Sequence, residues 1–169
     1  VDAGQAGIRC RHTPTMARDR HYEVVFDGVH VSRDAVLGPV DAAWTDLEPV
    51  LHRAAVAFSA FTNGAAFELH EQSTEFAKQR VQFGRPIGQL QTIQGYLAQL
   101  IMEILGSDML TLFTAFHMDR GHDVRGYVAK TKGFSAETVA HVMDLGSQIF
   151  GGMGYMEEVD STLYLRRGK

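Results

Sequence analysis

Between residues 79 and 94 the chain reads QRVQFGRPIGQLQTIQ, a run in which Arg80, Gln82, Arg85, Gln91 and Gln94 crowd around a Gly-Arg-Pro break. These side chains are uncharged or permanently cationic. They make poor general bases but good holders of phosphate, carbonyl or ring-nitrogen groups, because guanidinium donates through a rigid fork and carboxamide both donates and accepts. A second feature is GGMGY, Gly151 to Tyr155. A glycine loop that cradles phosphate normally follows a strand and opens a helix, whereas this one follows a helical pattern, so by itself it reads as a helix stop and turn. Taken alone, Arg80 complements the negative end of a helix, and Gly84 and Pro86 break and restart helices. None of the eight histidines falls in a spacing that puts two ligands on one helix face, and no Gly-x-Ser-x-Gly or comparable nucleophile motif occurs. No metal site is expected, and the chemistry on offer is holding a ligand.

Three long helical patterns must position these groups. Ala54, Phe58, Phe61, Ala65 and Leu69 recur at three- and four-residue steps and predict a helix from Trp44 to Gln79, its apolar stripe facing a core, with Pro49 in or near the first turn. Ile93, Leu97, Leu100, Ile101 and Ile104 predict a second, running through Leu112 and Phe116 to Asp119 and stopped by Arg120-Gly121-His122-Asp123. Val128, Val139, Val142 and Ile149 predict a third, closed at Gly151-Gly152 by a left-handed cap. Glu157 to Arg167 is expected to form a short amphipathic helix, and Pro86 to begin the second long one. Short connections between long helices call for an antiparallel bundle, so the fold class is mainly α. Ahead of Pro39, HYEVVFDGVHV alternates in the manner of strands about an Asp27-Gly28 turn signal, so two short strands are expected there, a pair too small to be stable alone.

With these elements in place, the chain resembles the acyl-CoA dehydrogenase family from about His21 onward. VVFDGVHVSRDAVLG, Val24 to Gly38, is similar to the last β-hairpin of the family's middle domain. RVQFGRPIGQLQTIQ, Arg80 to Gln94, resembles its Arg-x-x-Phe-Gly signature with a following Gln, and SQIFGGMGYMEE, Ser147 to Glu158, its Gln-Ile-x-Gly-Gly-x-Gly-Tyr segment. The resemblance implies residues 1–39 as the end of the middle β-domain and residues 40–169 as the C-terminal helical domain. It also implies FAD as cofactor and oxidation of an acyl-CoA thioester to the 2,3-enoyl-CoA, in fatty-acid or lipid metabolism. Electrons would pass to an electron-transferring flavoprotein, and the assembly would be a homo- or heterotetramer. Carried over position by position, Arg80, Gln82 and Phe83 match contacts to the pyrophosphate and adenosine region of FAD in a neighbouring subunit. Gln91 matches another such contact, and Gln148 and Gly152 match the segment holding the adenosine diphosphate part. Tyr155 matches a residue bordering the acyl pocket, beside the plainer reading of an aromatic packed at a turn.

No catalytic residue can be nominated. The family's usual glutamate base follows an Arg-Asp-Ala-Lys-like segment, and the equivalent here, Arg166-Arg167-Gly168-Lys169, is the last of the sequence. The minority position on the first long helix falls at about Ala54, which cannot take a proton, while Asp46 and Glu48 are out of register. Two readings follow: a piece of an active dehydrogenase, itself silent in catalysis, or a chain from a bacterial heterotetramer that has lost its base and serves as structural partner. A cofactor-free helical interaction domain is the weaker third.

Composition agrees with a soluble domain able to bury a core, at 45% hydrophobic and 21% charged over 169 residues. A net charge of -4 without long single-sign runs argues against nucleic acid or an anionic membrane surface. No membrane span is expected, and the first residues lack the pattern of a signal peptide. Cys10, the single cysteine, points to a reducing, cytoplasmic setting.

Overall fold

A computed structural model describes residues 2–168, which divide into two compact units on either side of residues 50 and 51, the division falling inside a helix. In the first unit, β1 (Ile8–Thr13) pairs antiparallel with β2 (His21–Phe26) in a register running from Ile8 opposite Phe26 to Thr13 opposite His21. Expectation and structure differ here. β2 is one of the two anticipated strands, but its partner lies upstream, and Asp27-Gly28 does not join two strands. Instead Asp27 N–H donates to the Gly7 carbonyl at 2.8 Å, extending the ladder by one bond. Gly7 is required for that approach: it sits at φ +91°, and a Cβ there would lie 2.3 Å from the Asp27 carbonyl oxygen. Arg11 and Glu23 face each other across the strands at 2.7 Å, both exposed, so the pair contributes little beyond register.

The second unit is an antiparallel helical bundle. α1 (Trp44–Gln79), α2 (Gln91–Asp119) and α3 (Arg125–Ile149) occupy the three expected segments, and α4 (Ser161–Gly168) begins four residues later than anticipated from Glu157. Lys169 lies outside the described residues. Pro49 sits inside α1, in its second turn, where its missing N–H forgoes a helical bond. Arg120 and Gly121, the latter at φ +70°, end α2 as the sequence indicates. Gly151, at φ +62°, follows α3 as a left-handed residue.

Only the later part of the apolar stripe of α1 reaches the core, where Leu69 is buried and Ala65 packs against it. Phe58 and Phe61 are 52% and 71% exposed, whereas Val56, Ser59, Asn63, Ala66, Leu69, Ser73 and Ala77 are buried. The inward face is thus half polar, and its polar groups are paired. Asn63 Oδ1 accepts from Ser107 Oγ at 2.8 Å and Ser135 Oγ at 3.1 Å, and Asn63 Nδ2 donates to Thr111 Oγ1 at 3.2 Å, so one side chain joins all three long helices. Thr114 and Thr131 hydroxyls meet at 2.7 Å between α2 and α3. Buried polar groups of this kind are tolerated because each has its partner. Toward the other end of α1 the core turns apolar, with Ala66, Leu69, Leu100, Ile104, Val139, Val142, Met143 and Phe150 in one cluster. Gly146 lets α3 approach Leu69, to which a Cβ would come within 3.0 Å. By length and composition α2 is long and apolar enough to cross a membrane, which the sequence reading did not anticipate. Within the bundle it buries Leu100, Ile104, Ser107, Thr111 and Thr114.

Candidate functional site

The forked donors gather where α1 ends. Arg80 N–H still donates to the Phe76 carbonyl at 2.8 Å, and the chain then folds into a two-stranded hairpin, β3 (Val81–Gln82) against β4 (Arg85–Pro86), rather than passing from Pro86 directly into a helix. Phe83 and Gly84 form its turn at φ +53° and +77°, the arrangement of a two-residue hairpin loop whose central residues are both left-handed. Gly suits that role; Phe does not. A phenylalanine held at positive φ costs on the order of 1–2 kcal/mol, and its ring is 89% exposed, so the fold gains no burial from it. Ile87 N–H donates to the Arg80 carbonyl at 2.8 Å, clamping the hairpin base. A 3-10 turn, Ile87–Gln89, leads to α2, and Gly88 lets it lie against the Ala77 carbonyl, which a Cβ would meet at 3.0 Å.

The opposite wall comes from the end of α3. Ile149 packs with Ala77 and Ile87, and the Phe150 ring lies 4.7 Å from that of Phe76. A 3-10 turn, Gly151–Tyr155, follows. Gly154 is buried in it, and a Cβ there would fall 2.2 Å from the Ser147 carbonyl oxygen, so only glycine permits this fold-back. Ser161 Oγ, from α4, donates to the Gly154 carbonyl at 3.2 Å and fixes the turn from behind.

Between these walls lies a cleft of about 590 Å³ lined by Arg80, Gln82 and Ile87 on one side and Phe150, Gly152 and Met153 on the other. Three predicted site residues, Arg80, Gln82 and Gly152, therefore meet in one place although about seventy positions separate the hairpin from the glycine. Phe83 stands at the hairpin tip. Gln91, the first residue of α2, and Gln148, near the end of α3, are exposed and outside the cleft walls, as is Tyr155 at the end of the glycine turn. Arg80 has no ion-pair partner among the described residues, and no acidic side chain lines the cleft. No residue near Gly152 would meet a Cβ within 4 Å, so its backbone is open to a close-lying ligand. The apolar lining from Phe76, Ile87, Ile149, Phe150 and Met153 escaped the sequence reading; its signal was only the continuation of helical periodicity past the last turns.

The perturbed titrating groups lie elsewhere. Glu103 on α2 is pushed up by partial burial, but hydrogen bonds from His141 Nδ1 at 2.7 Å and Gln99 Nε2 outweigh this and hold it below the usual carboxylate value. Asp123, ahead of α3, accepts from both the side chain and the backbone N–H of Arg125 and is lowered to about 2. The cleft's chemistry is accordingly that of a cationic, hydrogen-bonding, partly apolar cradle without a proton acceptor.

The sequence model of the acyl-CoA dehydrogenase C-terminal domain matches residues 44–169. The very long-chain specific acyl-CoA dehydrogenase of Macaca fascicularis mitochondria is 31% identical over 137 residues, covering 80% of this chain and 21% of its own. A 3-(aryl)acrylate reductase of Clostridium sporogenes is 27% identical over 136 residues, covering 80% and 36%. Butyryl-CoA dehydrogenase from Megasphaera elsdenii superposes with a TM-score of 0.91 at 26% identity, over 99% of this chain and 45% of that one. The chain thus spans less than half the length of these proteins. Its match to the family model runs through the whole helical bundle and takes in both walls of the cleft: this chain belongs to the acyl-CoA dehydrogenase family and carries its C-terminal helical domain.

Proposed function

We propose that this chain is the C-terminal part of a FAD-dependent acyl-CoA dehydrogenase, residues 1–39 closing its middle β-domain and 40–169 forming its helical domain, and that the cleft receives the adenosine diphosphate portion of FAD belonging to a neighbouring subunit. One observation carries this: Arg80, Gln82 and Gly152, from segments far apart in sequence, converge on a cleft with no acidic lining. The residues fit the group. An unpaired guanidinium can fork onto phosphate oxygens, a carboxamide can donate and accept at a ribose or base edge, and an open glycine backbone allows close approach. Phe83, Gln91 and Gln148 would complete the rim from outside the cleft, and Tyr155 would face the acyl group.

Bound flavin would supply the hydride acceptor for the β-carbon of an acyl-CoA while a carboxylate takes the α-proton. This chain's share is to hold and orient. Ala54 offers no proton acceptor on α1, and no residue among those described takes the role of base. A base-less partner chain within a heterotetramer uses the same cleft in the same way. Cytoplasmic location and electron transfer to a flavoprotein partner complete the proposal, the exposed free Cys10 fitting a reducing compartment.

The test is flavin content and turnover of the complete protein, since this chain alone is expected to be silent in catalysis. Arg80→Ala should lower the flavin retained through gel filtration, with acyl-CoA oxidation falling in proportion; retention equal to that of the parent would overturn the site assignment. The reductase relative makes it worth running the assay in both directions.

A further inference from the structure

The hairpin carries a second cation that neither sequence matching nor the cleft lining assigns. Residues directly opposite one another in an antiparallel pair project to the same face, and successive residues alternate between faces. In this hairpin Val81 pairs with Pro86 and Gln82 with Arg85, and the Ile87 N–H bond to the Arg80 carbonyl places those two opposite each other at the base. One face therefore presents residues 80, 82, 85 and 87, and the other presents 81 and 86. Three of the four on the first face, Arg80, Gln82 and Ile87, line the cleft. Arg85 is the fourth. It is exposed and, like Arg80, has no ion-pair partner among the described residues.

We infer that Arg85 is a second anchor for the diphosphate of the ligand in this cleft, acting from the hairpin tip while Arg80 acts from its base. The inference rests on the flavin reading above. Two phosphates linked through one oxygen present adjacent anionic centres, which a pair of arginines on one rigid face matches better than a single arginine. The hairpin is suited to hold them apart at fixed spacing, since its turn and base clamp leave the two legs little freedom. An exposed cation at the entrance also draws an anion from solution, an effect that fades with salt.

The experiment compares Arg80→Ala, Arg85→Gln, Arg85→Lys and, as a surface control, Lys78→Gln in the complete protein, reading the FAD dissociation constant by flavin fluorescence at low and high salt. Melting of the flavin-free forms checks that folding is intact. Arg85→Gln is expected to weaken FAD about tenfold, as loss of a charge-assisted contact does, with a shallower salt dependence, while Arg85→Lys recovers part of the affinity. Lys78→Gln should match the parent. If Arg80→Ala weakens FAD and Arg85→Gln does not at either salt, the second anchor is refuted and the site stands. If neither does, the flavin reading of the cleft falls and the inference with it.

Discussion

Replacing Asn63 with alanine tests whether the polar centre of the bundle holds it together. The Asn63 side chain is 1% exposed and makes three hydrogen bonds, from Ser107 and Ser135 to its oxygen and from its nitrogen to Thr111. At a net value of about 1 kcal/mol for each buried bond, their loss removes about 3 kcal/mol. Two effects pull in opposite directions from there. Ser107 and Ser135 can rotate toward helix carbonyls one turn back, as Ser59 does to the Ala55 carbonyl at 3.0 Å, which recovers part of the loss. The carboxamide's volume is left empty among α1, α2 and α3, which adds to it. The expected destabilisation is about 2–4 kcal/mol by urea unfolding at neutral pH. Asn63→Asp sharpens the case. A buried carboxyl here has its pKa raised by desolvation, so its deficit relative to the parent is largest at neutral pH and shrinks as pH falls and the acid protonates. A Ser107→Ala partner allows a double-mutant cycle, in which residues sharing a hydrogen bond should couple by at least about 0.5 kcal/mol. An Asn63→Ala protein within about 0.5 kcal/mol of the parent, the range of an ordinary surface change, would refute the view that this network is structural.

Glu103 yields a pH dependence of defined sign. Its folded pKa is lowered, so its stabilising contribution is present above its unfolded value near 4.5 and is lost as pH falls through the lowered one; Glu103→Gln should flatten stability across that acid range, and an unchanged slope counts against the His141 contact. Asp123, lowered to about 2, should make Asp123→Asn destabilising at neutral pH and nearly silent at pH 2, read by thermal melting at both. Gly154→Ala forces a methyl onto the Ser147 carbonyl, and flavin retention and melting temperature should drop together; a fully stable variant would mean the turn can move away. Phe83→Gly relieves a left-handed phenylalanine while adding unfolded-chain entropy, so stability should shift by less than about 1 kcal/mol, yet flavin retention should fall if the exposed ring serves the cofactor; equal retention leaves its strain without a function.

How much of this was legible in the sequence varied with the kind of order involved. The spans of α1, α2 and α3 followed from helical periodicity and from the Arg120-Gly121 and Gly151-Gly152 stops, because backbone geometry writes those signals locally. The inward face of α1 did not. Apolar spacing selected Phe58 and Phe61, which point outward, since the buried register runs through Ser59, Asn63 and Ser73, whose cost is offset by helix carbonyls for the two serines and by hydroxyls on α2 and α3 for Asn63. A pairwise hydrogen bond across 44 or 72 residues leaves no periodic trace. The partner of β2 was missed for a like reason: Asp27-Gly28 has the composition of a hairpin turn, but the bonding edge was taken by Ile8–Thr13. Arg80, Gln82 and Gly152, which line the cleft, were accessible through resemblance, whereas the face that Arg85 shares with Arg80 became visible only once the register of a four-residue ladder was known.

The Asn63 layer also governs where the hairpin sits along the bundle. Leucine against leucine tolerates slippage by a helical turn with modest loss, because one methyl surface resembles the next. A carboxamide meeting two serines and a threonine fits at a single offset. Arg80, the first residue past the end of α1, lies seventeen residues beyond Asn63, a rise of about 25 Å in a helix. The layer therefore indexes the axial position of the arginine-bearing end of α1 against the glycine turn that ends α3, as a keyed shaft is held at one setting. Softening that key would let both walls of the cleft survive intact and still fail to meet.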